Sequence, residues 1–65
     1  MIIETTANRF YRVYETGFAD LAHCWYGTEV RFNRKTREWA KKARISHPRP
    51  ELVSKAHCLR IVAEA

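Results

Sequence analysis

Glycine and proline are scarce, two of each in 65 residues, and that scarcity argues against the low-complexity compositions that resist folding. No apolar run approaches the roughly 20 residues needed to span a bilayer. The opening MIIETTANRF lacks the basic start and long apolar stretch of a secretory signal. Two cysteines without such a signal read as reduced thiols, so a cytoplasmic protein with no membrane partner is expected. Zinc-finger spacing, an aromatic ribonucleoprotein signature, a glycine-rich phosphate loop, a serine-nucleophile motif and a carboxylate pair of readable spacing are also missing. Length adds to these absences. A chain this short hides only about 60% of the surface its unfolded form exposes, and a deep cleft removes packing atoms from a core with few to spare. The expectation is one small basic domain over 1–65, not an enzyme, with no catalytic residues and no cofactor.

What is present suits a folded chain, with 46% hydrophobic and 12% aromatic residues. Charge is split between the halves. Residues 1–30 carry two basic and four acidic side chains, whereas residues 31–65 carry ten basic and three acidic, within a net charge of +5. A field concentrated on one half steers a polyanion or an acidic protein surface toward it. The total alone proves nothing, because a net charge of roughly 2 to 8 is usual for a small soluble domain.

Along the chain, Arg9 to Glu15 is rich in aromatic and β-branched residues and reads as a strand that Thr16-Gly17 stops. A rival helix uses the three-to-four spacing of Ala7, Phe10, Tyr11, Tyr14, Phe18, Leu21, Ala22 and Trp25. Gly17 in its middle would cost about 1 kcal/mol relative to Ala, so the segment is split. Phe18 to Tyr26 then reads as a short helix, with Gly27 as its left-handed cap. Thr28 to Phe32 alternates as a strand, Asn33 to Thr36 is a polar turn, and Arg37 to Lys41 returns as the partner strand of a hairpin. The same residues also suit a helix over 37–45, capped by Thr36 and joined through Ser46 to Arg49 to the last element, the outline of a helix-turn-helix. From Pro50 onward, Leu52, Ala56, Leu59 and Ala63 fall on one helical stripe, although Cys58 to Ala63 also alternates as a strand would. The expected class is α+β: an N-terminal strand, a short helix, a β-hairpin and a C-terminal amphipathic helix. A mostly α domain is the alternative.

The segment RFNRKTREWAKKAR, residues 31–44, holds seven Lys or Arg against one Glu. Phosphates are bound by such side chains with release of counterions, and an aromatic among them can stack on an unpaired base. Arg31, Arg34, Lys35, Arg37, Trp39, Lys41, Lys42, Arg44 and Arg49 are the candidate contacts for nucleic acid or a partner. Against this stands core packing, because Trp39 and Phe32 are two of the few large apolar residues available. The tripeptide Ala-His-Cys occurs at 22–24 and again at 56–58. Two His and two Cys are a permissible zinc set, but neighbours in sequence diverge by about 100° on a helix and to opposite faces on a strand, so no metal site is expected. His47, between Ser46 and Pro48, reads as a loop residue.

These residues lead to a small non-enzymatic binding protein whose basic face, 31–49, contacts nucleic acid or a nucleoprotein complex. The alternative is an inhibitor or adaptor encoded by a phage or other mobile element, such as an anti-CRISPR or host-takeover factor, gripping the acidic surface of a host complex. Exposed Tyr and Arg, the residue types that dominate protein–protein hot spots, would serve it. So small a core also gains from association, which makes a homodimer an open expectation.

Overall fold

Strands form wherever the sequence alternates or concentrates β-branched and aromatic residues, and no α-helix of seven or more residues accompanies them among the described residues. The computed structural model describes residues 1–42 and 49–63. Six strands run in order: β1 (Ile2–Glu4), β2 (Phe10–Glu15), β3 (Cys24–Asn33), β4 (Glu38–Lys41), β5 (Glu51–Ser54) and β6 (Arg60–Val62). Single 3-10 turns at Thr6–Asn8, Ala19–Leu21 and Lys55–His57 punctuate them. The sheet is antiparallel in the order β4-β3-β2-β1-β6, with β5 also paired to β3.

The ten-residue β3 organises the molecule. Along one edge, residues 25–30 pair with β2; the other edge is shared, Cys24 to Gly27 pairing with β5 and Val30 to Asn33 with β4. A strand edge left open exposes a row of unpaired backbone groups. The chain closes this one with two short strands instead of one long one.

Side chains alternate across the sheet. On one face, buried Ile3, Tyr11, Val13 and Val53 form a core cluster, with Trp25 and Cys58 packed against it. Gly27 lies under this cluster, opposite Val13. A Cβ there would stand 2.7 Å from Val13 Cγ1 and 3.2 Å from Val53 Cγ2, so only glycine lets β2 and β5 bring their valines together over β3. On the other face, buried Ile2 and Val30 lie among the partly buried Phe10, Trp39 and Val62.

The α+β expectation, and the mostly α alternative with it, is therefore corrected to a mostly β fold. The expected helix over Phe18 to Tyr26 is one 3-10 turn, after which the chain enters β3 at Cys24. Tyr26 and Trp25 pair there with Tyr14 and Glu15, a use of aromatic rings on a pleated surface that outweighs local helical spacing. Gly27 is accordingly not a helix cap but a mid-strand residue; Gly17, at φ 76°, is the glycine in the left-handed region. The C-terminal amphipathic helix is likewise two strands, β5 and β6, around the turn Lys55–His57. Its expected apolar stripe is not a burying face: Leu52 and Leu59 are 48% and 64% exposed, whereas Val53, off that stripe, is 7% exposed. The hairpin is present, with Phe32 opposite Trp39. The rival helix over 37–45 is replaced by β4 up to Lys41, and its last residues, with the link through Ser46, His47 and Pro48, lie outside the described residues.

Candidate nucleic-acid interface

The β3–β4 turn is built by Asn33. Its Oδ1 accepts from the Lys35 N–H at 2.9 Å and the Thr36 N–H at 3.3 Å, and its carbonyl accepts from the Arg37 N–H at 2.7 Å. This is the local side-chain mimicry of a turn for which Asn is favoured. Arg37 completes the turn at φ 57°, a left-handed conformation that costs a residue with a Cβ roughly 1 kcal/mol. The turn places Arg34, Lys35 and Arg37 in solvent beyond the end of the sheet.

Beside it lies an open groove of about 710 Å³. Its apolar floor comes from four segments of the chain: Phe10 of β2, Val30 and Phe32 of β3, Trp39 of β4 and Val62 of β6. The Trp39 ring centroid stands 5.0 Å from that of Phe10 and 5.2 Å from that of Phe32, both in tilted or edge-on contact. Arg31, Arg34 and Arg37 border the groove, together with Arg9, Lys42 and Arg60.

These cations fall into two sets. Arg9 donates to Glu29 through Nη2 at 3.2 Å and Nε at 3.3 Å, while Lys42 Nζ approaches the same carboxylate at 3.2 Å. The Arg9 hydrogen bond, with Lys42 assisting, holds the Glu29 carboxyl below its ordinary range despite the opposing effect of burial. Reciprocally, Glu29 raises the Arg9 guanidinium. Arg60 is tied to Glu4 at 2.8 Å, which raises it in turn. Arg31, Arg34, Lys35, Arg37 and Lys41 make no ion pair among the described residues. Their charge faces solvent.

Of the residues singled out in the sequence, the groove gathers Arg31, Arg34, Arg37, Trp39 and Lys42. Lys35 stands next to it on the turn, and Lys41 follows Trp39 on the same face of β4. Arg49 is exposed ahead of β5 and is not among the groove-lining residues, while Arg44 lies outside the described residues. Sequence reasoning missed Phe10, Val62, Arg9 and Arg60 as neighbours of Trp39. Their signal was faint: Phe10 and Arg9 belong to a recognisable strand, but only the β2–β3 register, Phe10 opposite Val30, brings them here.

The two Ala-His-Cys tripeptides do approach each other, since the His23 carbonyl accepts from the Lys55 N–H at 2.9 Å and Cys24 pairs with Ser54. Both cysteines are free thiols. Among the described residues no group of three or more His, Cys, Asp or Glu side chains is placed to hold a metal ion. Among them, too, no helix is long and apolar enough to cross a membrane. Compared with protein-family models, with curated proteins and with solved structures, the chain matches none.

Proposed function

We propose that the chain is a small non-enzymatic binding protein whose groove at the β3–β4 hairpin holds nucleic acid. One observation carries this reading: Phe10 and Phe32, each in ring contact with Trp39, stand in one groove with Arg31, Arg34 and Arg37, none of which is spent on a carboxylate among the described residues. Basic side chains beside stackable rings are the combination that binds a polyanion carrying flat bases. A packed core explains Val30 and most of Trp39, but not a Phe32 left exposed beside cations. The free thiols of Cys24 and Cys58 support a cytoplasmic setting.

The test is fluorescence anisotropy of a labelled oligonucleotide titrated with the protein at increasing salt. The logarithm of the affinity should fall linearly with the logarithm of the salt concentration. Changing Arg34, Lys35 and Arg37 together to Ala should reduce the slope by about 2, because each single-strand phosphate that a cation neutralises adds roughly 0.7 to it. Absence of binding at low salt refutes the reading. A protein-directed inhibitor or adaptor is the second reading, supported by the exposed Phe18, Leu59 and Ile61. Recovery of one stoichiometric protein partner after nuclease treatment, without oligonucleotide binding, would select it.

A further inference from the structure

Beyond the groove, the same face of the sheet continues as an ordered series of cross-strand rows. Starting at the hairpin, the rows are Phe32 opposite Trp39; Phe10, Val30 and Lys41; Arg12 opposite Thr28; and Tyr14, Tyr26 and Leu52. The last row is a second aromatic station. The Tyr14 and Tyr26 ring centroids lie 6.2 Å apart with an interplanar angle of 35°, and Tyr14 is 52% exposed. Phe10 and Tyr14 are four positions apart on β2, a distance of about 13 Å at the usual strand rise.

Charge is sorted between the faces. Register and alternation put Glu15, Glu29, Glu38 and Glu51 on the opposite face of their strands, with Tyr11, Val53 and Arg31; Glu29 still reaches the rim of the groove, where Arg9 and Lys42 engage it. Among the described strand residues, Glu4 is the one carboxylate that shares the face with Phe10 and Tyr14, and Arg60 engages it at 2.8 Å. Lys41 shares the row of Phe10 and Val30, at the edge of the first aromatic station. A face with two sets of stackable rings, the exposed Lys41 and the hairpin cations beside the first set, and its two nearby carboxylates, Glu4 and Glu29, already engaged by Arg60, Arg9 and Lys42, is complementary to a flexible phosphate backbone with unpaired bases. A duplex fits it poorly, because stacked and paired bases offer no open ring face to Tyr14 or Phe32.

We infer that this face is a track for single-stranded nucleic acid, running from the hairpin groove past Lys41 to a second stacking site at Tyr14 and Tyr26. This rests on the nucleic-acid reading above and specifies its substrate class. The probes are fluorescein-labelled oligothymidylates of about 4 and about 12 nucleotides, which bracket a short and a spanning site, and a duplex of the longer length. The longer single strand should bind at least tenfold more tightly than the shorter one and than the duplex. Tyr14→Ala should weaken the longer strand roughly tenfold, the loss expected for one stacked base, and leave the shorter one unchanged. Tyr14→Phe should restore binding, because it keeps the ring. A Trp25→Phe background, which leaves Trp39 as the one tryptophan, checks that both lengths still quench the groove.

The outcomes separate cleanly. If Tyr14→Ala leaves the longer strand unaffected while the Arg34, Lys35 and Arg37 triple variant weakens it, the track is refuted and the groove reading stands. Equal binding of duplex and single strand also overturns the track. If no oligonucleotide binds, both readings fall together.

Discussion

Arg37→Gly separates what the hairpin needs from what its charge does. At φ 57°, Arg37 holds a conformation that glycine adopts without steric cost and that costs a side-chain-bearing residue roughly 1 kcal/mol. Glycine gives part of this back by enlarging the conformational freedom of the unfolded chain, so the net effect is a stabilisation of about 0 to 1 kcal/mol. In a domain of this size 1 kcal/mol corresponds to a rise of about 4–8 °C in Tm. The same substitution removes one of the arginines bordering the groove, and should lower the salt slope of oligonucleotide binding by about 0.7. Stability and binding thus move in opposite directions. Thermal melts followed by circular dichroism, with anisotropy titrations across salt, read the two effects separately. Arg37→Ala is the internal control: it loses the charge but keeps the backbone strain, so it should reproduce the binding defect without the gain in Tm. A drop of several degrees in Arg37→Gly would refute the turn geometry, and an unchanged salt slope would remove Arg37 from the phosphate contacts.

Two further predictions concern the scaffold and its electrostatics. Gly27→Ala inserts a methyl group 2.7 Å from Val13 Cγ1, and should cost about 1–3 kcal/mol, the usual penalty of overpacking; the urea midpoint should fall while the m-value holds, and an unchanged midpoint would mean that β2 and β5 do not converge over β3. For Glu29, Arg9 and Lys42 depress the folded-state carboxyl, so its contribution is complete above the ordinary glutamate range and disappears as pH falls through the lowered value. Solvent screens this exposed cluster, so the effect is small. The urea midpoint of Glu29→Gln should therefore lie below that of the parent protein at neutral pH and converge with it in acid, and a gap that widens in acid would contradict the assignment.

Local chemistry made several elements legible. The β-branched and aromatic run before Gly17, the alternation of Thr28 to Phe32 and the Asn33 turn each act within a few residues, and each appears in the fold as a strand or a turn. The hairpin carried Trp39 and its neighbouring cations to one place for the same reason. Leu52, Ala56, Leu59 and Ala63 were ambiguous because a three-to-four spacing of apolar residues satisfies a helix in isolation, whereas the adjacent Val53 satisfies a sheet only if a strand edge awaits it. That edge, Cys24 to Gly27, lies more than twenty residues away in sequence.

The amino-acid sequence by itself determined the basic bias of the second half and the strand β2, and it favoured the hairpin with its arginine-rich turn over a rival helix. Tertiary structure alone decided that Gly27 is a contact surface for two valines, that the C-terminal segment completes a sheet, and that Phe10 meets Trp39 at 5.0 Å. It also decided which cations are held by Glu29 and Glu4 and which face solvent. The physical reason is common to all of these. Strand pairing is a non-local interaction whose register sets every side chain's face, so spacing along the chain constrains it only where a turn already brings the partners together.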